Sequence, residues 1–276
     1  MNNLKKQGEE AKSKGVVMFA RNSKLNYMRI AQHNCKLIKE HLQLPVAVIT
    51  DTKTLDESDT AMFDYVIMDD TEYQNTRVFY LKGEKLTTPW LNGSRSDAYD
   101  LTPFDRTLLL DADYLIMSSR YKTLFDIDQD FSCHYDVLDV TGQNLYKTDE
   151  RLSHYTIPMA WATAVVFNKS ELADNVFALM KIVKEHWKYY SALYQFNPKM
   201  FRNDFALSIA LHILKGYGTD VCSIPWRLPT LTSRARIIDY DKRGIKYVYE
   251  KQERDYVGRV CRDIHIMDKK SLVDFI

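Results

Sequence analysis

The chain has 276 residues, of which 45% are hydrophobic and 27% charged, and its formal net charge is +1. This composition predicts an ordinary soluble globular protein and argues against a generally basic nucleic-acid binder. Residues 1–14 are polar and mixed in charge and are expected to form a tail, with residues 15–276 as one domain. No apolar run approaches the ~20 residues of a membrane span, so we expect none.

Short apolar runs alternate with a helical pattern in the first part of the domain. They predict strands at 16–20, 45–51 and 63–69, with a helix at 26–41. Strands that alternate with helices favour right-handed crossovers and a parallel sheet. Ligands bind outside the carboxyl ends of the strands in such sheets, which is where Asp51 is expected.

A further buried strand is predicted at Leu108–Leu110, and two acids, Asp111 and Asp113, follow it. Because side chains alternate along an extended backbone, both carboxylates are expected to point to the same side. Two like charges so close repel each other, and a nearby cation relieves the repulsion. Carboxylate oxygens suit Mg²⁺ or Mn²⁺, which keep positions for water or substrate phosphates. The motif predicts a metal–diphosphate site at a strand end, although an isolated Asp-x-Asp is as readily a solvated turn.

One more strand and two helices are predicted in the second half. The strand covers 160–168, and Ser170 is expected to cap a helix from 171 to about 187. A second helix is predicted at 204–214, with Asp204 in its first turn.

Two other segments are polar. Residues 132–158 are expected to form loops, and the part after Gly216 to be irregular. Between Trp226 and Arg262 there are ten Lys or Arg and five Asp or Glu residues. This excess permits a polyanionic partner, but a solvated surface gives the same pattern more often.

Four cysteines, Cys35, Cys133, Cys222 and Cys261, are widely spaced and form no C-x-x-C pair. The spacing predicts reduced thiols, not a disulfide framework or a zinc site. We therefore expect a cytoplasmic protein, in the host cytoplasm if the chain is viral.

The order of these motifs resembles that of the GT-A nucleotide-sugar glycosyltransferases, in particular the glycogenin-like and lipopolysaccharide-galactosyltransferase family. The similarity is carried by the αβ unit, the Leu-Asp-Ala-Asp run, the Ala/Val-rich strand, the Asp-led helix and a late His265-x-x-x-Lys269, and it extends from about Gly15 to Leu272. It implies an α/β fold with a Rossmann-like, mostly parallel sheet flanked by helices, and the DxD motif at a strand end.

The resemblance implies a metal-dependent glycosyltransferase. In that family the two acids and a late histidine bind the ion, so Asp111, Asp113 and His265 are the implied ligands of Mn²⁺ or Mg²⁺. Lys269 is implied to contact phosphate, and Arg95 to contact the donor. The donor is a nucleoside-diphosphate sugar, which we expect to be UDP-linked.

Further donor contacts are implied in a nucleotide-binding half, 15–117, which precedes an acceptor half with a C-terminal closing segment, 118–276. The implied donor-binding residues also include Ala20, Asn26, Tyr27 and Asp51. The expected catalytic residues are Asp97, which is implied to lie beside the donor sugar or ribose, and Asp204, which is expected to orient sugar hydroxyls.

The chain departs from the family pattern in three places. Arg21-Asn22 replaces the acid usually found directly after strand one. Ala162-Thr163-Ala164 replaces a frequent Gly-Gly, and Asn203-Asp204-Phe205 replaces an Asp-Gln pair. The sequence therefore assigns neither the nucleobase nor the stereochemical outcome.

Other functions remain open. A non-catalytic binding or scaffold protein can use the same fold, but the implied metal ligands are all acids or imidazole, which favours an enzyme. A sugar-phosphate nucleotidylyltransferase usually carries a glycine-rich loop after strand one, and residues 19–24 contain no glycine. The acceptor is a hydroxymethylated base in phage DNA, which would have to be reached or flipped, a glycan, a protein side chain or a small molecule.

Overall fold

The computed structural model describes residues 14–70, 76–81, 84–90, 92–143, 157–195, 200–218 and 222–276. The strands are β1 (Lys14–Phe19), β2 (Val46–Thr50), β3 (Tyr65–Met68), β4 (Thr76–Leu81), β5 (Glu84–Pro89), β6 (Arg106–Asp111), β7 (Tyr114–Leu115), β8 (Phe131–His134), β9 (Val137–Asp139), β10 (Trp161–Asn168), β11 (Leu228–Leu231), β12 (Ala235–Asp241), β13 (Gly244–Lys251), β14 (Arg254–Val260) and β15 (Ile264–Ile266). The α-helices are α1 (Tyr27–His41), α2 (Thr52–Asp56), α3 (Ala98–Leu101), α4 (Glu171–Glu185), α5 (Trp187–Leu193), α6 (Asn203–Lys215) and α7 (Lys269–Val273).

The central sheet has six strands in the order β3-β2-β1-β6-β10-β8. Strands β3, β2, β1 and β6 are parallel, whereas β10 runs antiparallel to both of its neighbours. The prediction of an α/β fold with a mostly parallel sheet is confirmed. Each predicted strand of this sheet is present, with ends that differ by one or two residues.

Two apolar cores cover the two faces of this sheet. Val16 and Met18 of β1 lie in the core that includes α1, and Val17 and Phe19 lie in the core that includes α4 and α6. Because both faces are covered, the four consecutive residues Val16 to Phe19 of β1 are all apolar, as is typical of a parallel strand. The carboxyl edge of the sheet is left open for polar side chains.

A second sheet, in the order β7-β15-β11-β9, brings the end of the chain to β6. Strand β7 follows β6 after a two-residue turn, and β15 pairs antiparallel with it. His265 is thereby placed opposite Tyr114. A residue near the C-terminus thus lies beside the acids that end β6.

The expectation that the chain after Gly216 is irregular is wrong. Strands β12, β13 and β14 form an antiparallel sheet of their own. Buried residues such as Ile237, Ile245 and Tyr247 alternate with more exposed charges such as Arg236 and Lys246, and the basic excess hid that alternation in the sequence. The turn between β13 and β14 uses Gln252 and Glu253 at φ 53° and 59°, where hairpins usually have Asn-Gly, so no turn signal was visible.

Residues 132–158 are also more regular than expected, since they include most of β8 and all of β9; positions 144–156 lie outside the described residues. Of the predicted tail, 1–13 lie outside them too. Ser170 caps α4 as predicted, by accepting a hydrogen bond from the Ala173 N–H, but that helix ends at Glu185 and α5 is separate. Among the described residues, no helix is long and apolar enough to cross a membrane.

Candidate active site

Three potential metal ligands meet where β6, β7 and β15 come together. One ligand atom from each of Asp111, Asp113 and His265 lies within 4.8 Å of the others. The expectation of a continuous extended backbone through the two acids is wrong, because β6 ends at Asp111 and Ala112-Asp113 form a turn. The carboxylates converge because the turn redirects the chain and β15 fixes its far side.

Two cations neutralise the two carboxylates. The Arg95 Nη1 lies 2.8 Å from Oδ1 of Asp111, and the Lys269 Nζ lies 2.6 Å from Oδ2 of Asp113. The Nε2 atom of His265 is 3.8 Å from the other oxygen of Asp113. The cluster is therefore close to neutral without any ion.

Arg95 is almost completely buried, with 2% of its side chain exposed. Its guanidinium donates hydrogen bonds to the main-chain carbonyls of Leu110 and Thr163, at 3.5 and 3.4 Å, and to that of Ala162. It belongs to the 3-10 segment Gly93–Asp97. Arg95 thus ties β6 to β10 directly behind the first acid, in addition to balancing its charge.

The two acids titrate differently because their neighbours differ. Burial raises the pKa of Asp111, and Arg95 only partly opposes it, although the side chain is 26% exposed and solvent moderates the effect. Burial also raises the pKa of Asp113, but Lys269 and His265 outweigh it and hold that pKa below its usual value. The Asp113 carboxylate in turn raises the pKa of Lys269. The second ion pair is therefore fully charged near neutrality.

The donor set fits a hard or borderline divalent ion. Two carboxylates and one imidazole suit Mn²⁺ or Mg²⁺ better than a soft metal. The imidazole is buried, and its Nδ1 has no hydrogen-bond partner among the described residues. The Nε2 atom, and not Nδ1, faces the acids, and at 3.8 Å from Asp113 it makes no hydrogen bond to that carboxylate, so Nε2 can serve as the ligand atom.

Tyr27 and Lys269 lie on one side of the cluster. Tyr27 begins α1, and burial together with the charges of Asp113 and Asp111 raises the pKa of its hydroxyl against the effect of Lys269. Lys269 begins α7, whose N-terminal cap is Asp268. The structure therefore brings these two predicted donor-binding residues to the candidate metal ligands.

A pocket lies on the other side of Asp111. Within it, Asp204 accepts a hydrogen bond from the Ala162 N–H at 2.9 Å and two from Arg202, at 3.0 and 2.7 Å. Both carboxylate oxygens are therefore engaged inside the protein. The lining residues are Trp90, Asn92, Arg95, Asp111, Ala162, Arg202, Asn203 and Asp204.

Sequence reasoning missed Arg202 and Trp90. The Arg202 guanidinium lies 5.6 Å from the Trp161 ring and 5.1 Å from the Phe205 ring, besides its contact with Asp204. A charge pair two residues apart at a helix start is the only local signal, and it is common on surfaces. Trp90, the aromatic residue that lines the pocket, is far from Arg202 in the sequence, and no local pattern marks it.

Four other predicted residues have structural partners of their own. Asn26 and Asp51 accept hydrogen bonds as the N-caps of α1 and α2, at 2.8 and 2.7 Å. The main chain of Ala20 bonds to β2. Asp97 forms an ion pair of 3.0 Å with Lys181. None of the four is among the residues that line the pocket described above.

The arginine that replaces an acid after strand one is buried. Arg21 forms an ion pair of 2.6 Å with Asp69, and their side chains are 1% and 7% exposed. Asp69 follows β3, so an acid is still present at this edge of the sheet but is already paired.

Comparison with known proteins gives matches among solved structures alone, since no family model and no curated protein matches this chain. The galactosyltransferase LgtC, solved in complex with donor and acceptor sugar analogs, is 14% identical with a TM-score of 0.50, and the match covers 79% of this chain and 76% of LgtC. The glycosyltransferase GlyE of Streptococcus pneumoniae TIGR4 is 12% identical with a TM-score of 0.44, over 78% of this chain and 45% of GlyE. Mouse xyloside xylosyltransferase 1 is 11% identical with a TM-score of 0.41, over 76% and 84%.

The chain spans less than half the length of GlyE, and its identity to all three is low. Similarity at this level concerns the fold. The mostly parallel central sheet flanked by helices matches the fold of LgtC. The chain therefore has the GT-A fold that it shares with the galactosyltransferase LgtC.

Proposed function

We propose that the protein is a metal-dependent glycosyltransferase that moves a sugar from a nucleoside-diphosphate sugar to an acceptor hydroxyl. The observation that carries the proposal is the meeting of Asp111, Asp113 and His265 within 4.8 Å, with Arg95 and Lys269 in contact with the two acids. UDP is the nucleoside diphosphate that we expect.

The charge balance supports binding of a metal together with a diphosphate. Because the carboxylates of Asp111 and Asp113 are already neutralised by Arg95 and Lys269, a divalent ion alone gains little. A diphosphate adds negative charge, and this charge makes it favourable to bind the ion close to the two cationic side chains. We therefore expect metal and nucleotide to bind cooperatively.

The leaving nucleoside diphosphate gains negative charge as the glycosidic bond breaks. When bound, Mn²⁺ or Mg²⁺ would supply Lewis-acid stabilisation of that charge. Lys269, held by Asp113, would contact a phosphate oxygen, and the raised pKa of its ammonium keeps it protonated. Cations fixed where charge develops stabilise the transition state more than the ground state.

The pocket on the Arg95 side of Asp111 is proposed to receive the sugar. Its wall combines the ring of Trp90 with polar side chains of Asn203 and Arg202, a mixture that suits a molecule with apolar faces and hydroxyl edges. Asp204 would act mainly by holding Arg202, because its own oxygens are engaged. Asp97 lies at Lys181 and receives no direct support as a sugar contact.

The acceptor is proposed to be a glycan, by analogy with LgtC, which was solved with an acceptor sugar analog. A hydroxymethylated base in phage DNA is the second candidate. The argument for DNA is the basic segment between Trp226 and Arg262. Part of its positive charge is neutralised within the protein, since Arg243 pairs with Asp241, and Arg259 pairs with Asp239 and Asp241. Duplex DNA binding that falls steeply with added salt would restore it.

A thermal-shift panel tests the donor site. Nucleoside diphosphates and nucleotide sugars are added with and without Mn²⁺ to wild type, Asp113→Ala and the control Asp126→Asn, whose carboxylate is 76% exposed. A ligand that binds the folded state raises the Tm. We expect a metal-dependent rise for uridine nucleotides in wild type and Asp126→Asn, lost in Asp113→Ala. No rise with any nucleotide would contradict the enzyme and favour a non-catalytic role.

A further inference from the structure

Asn34 is a polar residue in an apolar setting. It lies on α1, is fully buried, and has Ile30, Ala31, Cys35 and Ile38 as equally buried neighbours on that helix. A buried amide at such a position is unfavourable unless its hydrogen bonds are satisfied.

Apart from a weak contact of its Nδ2 with the sulfur of Met18 at 3.6 Å, its hydrogen bonds reach the chain that carries Asp113. The Asn34 Nδ2 donates to the carbonyl of Tyr114 at 2.7 Å and more weakly to that of Ala112 at 3.4 Å. The Oδ1 accepts from the N–H of Ile116 at 3.1 Å. One side chain thus bonds to the backbone of Tyr114 within β7 and of Ile116 directly after it.

This pattern imitates a residue of a neighbouring parallel strand. In a parallel sheet one residue donates its N–H to the carbonyl before its partner and accepts from the N–H after it. The amide of Asn34 does both around Leu115. Since β7 is the edge strand of its sheet and its residues are buried, Asn34 completes an edge that water does not reach.

The opposite edge of the same segment is held by β15. The N–H of Ile266 donates to the carbonyl of Asp113 at 2.9 Å. Asp113 is therefore fixed from both sides, with carbonyls 112 and 114 on α1 and carbonyl 113 on β15. Its carboxylate then reaches His265, the residue next to Ile266, and Lys269.

We infer that Asn34 is a positioning residue of the candidate metal site. The identity of that site rests on the proposed function. The amide of Asn34 bonds to main-chain atoms, and Asn34 is not one of the three candidate ligands. It sets the backbone of Asp113 and the pairing of β7 with β15, and thereby the separation between Asp113 and His265.

The test compares Asn34→Leu and Asn34→Asp with Ile38→Ala, which creates a cavity one turn along the same helix. Leucine removes every hydrogen bond of the Asn34 amide. Aspartate keeps an oxygen that can accept from the Ile116 N–H but has no N–H to donate to the carbonyls of Ala112 and Tyr114. The dissociation constant of Mn²⁺ is measured by electron paramagnetic resonance with UDP present, well below each Tm. We expect at least a tenfold weakening in both Asn34 variants and less than a twofold change in Ile38→Ala. Unchanged affinity in the Asn34 variants, or an equal loss in Ile38→Ala, would overturn the inference.

A second measurement needs no metal. Hydrogen exchange of the Ile266 amide is followed relative to the Val48 amide of β2, and Asn34→Leu should accelerate it at least tenfold on that relative scale. If that variant does not fold, Asn34→Asp supplies the same comparison. A wild type that binds no Mn²⁺ would refute the proposed function, and the exchange data would still decide the role of Asn34: an unchanged ratio refutes it.

Discussion

The ammonium of Lys269 lies 2.6 Å from Oδ2 of Asp113, so a side chain of the protein holds an oxygen that a metal would use. Lysine and ion therefore compete for Asp113 when no nucleotide is present. With a diphosphate bound, the phosphate offers the ammonium a second partner. Lys269 should therefore weaken the binding of a metal ion alone and strengthen the binding of a diphosphate.

Lys269→Met is expected to bind Mn²⁺ more tightly than wild type without nucleotide, and UDP at least tenfold more weakly in the presence of Mn²⁺. Calorimetric titration of each ligand measures both changes. Lys270→Met is the matched control, because Lys270 is exposed and adjacent, and it should change neither constant. Weaker Mn²⁺ binding in Lys269→Met would contradict the competition.

Removal of Arg95 should destabilise the protein strongly. Arg95→Met leaves the Asp111 carboxylate without its cation and removes the guanidinium hydrogen bonds to three carbonyls, and breaking a buried pair costs about 3 kcal/mol or more. Lys181→Met, which breaks two exposed ion pairs, should cost less than ~1 kcal/mol. The free energies of unfolding come from urea titrations.

The double variant Arg95→Met/Asp111→Asn should recover part of the Arg95 loss, because the stranded charge is removed as well. A double variant whose loss equals the sum of the two single losses would show that the pair contributes through packing alone.

Acid should destabilise the protein partly through His134. Burial lowers the pKa of this histidine to about 3, against the hydrogen bond to the Trp226 carbonyl. Below about pH 6.5 the unfolded chain gains a proton here that the folded protein does not take up until about pH 3. Stability should therefore fall as the pH drops from 7 towards 3, by up to roughly 1.4 kcal/mol per unit from this group, with no contribution above pH 7.

His134→Gln should remove that share of the slope, measured as the free energy of unfolding at several pH values. His186→Gln, at an exposed position, is the control and should keep the wild-type slope. Parallel pH profiles for wild type and His134→Gln would contradict the assignment.

Asp204→Asn is expected to separate sugar binding from nucleotide binding. The change weakens the anchor of Arg202 in the pocket but leaves the Lys269 side of the cluster untouched. Transfer should fall at least tenfold while the affinity for UDP stays within about twofold. A loss of UDP affinity as large as the loss of transfer would show that the pocket does not hold the sugar.

The parallel strands could be predicted because each is a short apolar run between polar segments, as in β1 and β6. The sheet β12–β14 could not, because Gln252 and Glu253 occupy turn positions that usually reveal themselves by Asn-Gly. The burial of Ile237 and Tyr247 follows from how the three strands pair, which the sequence alone does not show. The many charged residues of this segment indicate its exposed positions, but they give no sign of the buried positions between them.

The candidate site divides in a similar way. Asp111, Asp113, His265 and Lys269 could be proposed because their order in the chain resembles a family, and the structure brings all four together. Arg202 and Asn34 could not, since their partners lie on other elements and nothing adjacent in the chain marks them.

The C-terminal placement of His265 and Lys269 has a consequence for a growing polypeptide. The acids that end β6 are synthesised long before the imidazole and the ammonium that complete their cluster. A nascent chain that has passed residue 111 can pair β1, β2 and β6, yet it lacks two of the groups that surround Asp113. Translation that stops upstream of His265 would release a product without the imidazole and the ammonium of the candidate site, so assembly of this cluster requires that synthesis has passed Lys269.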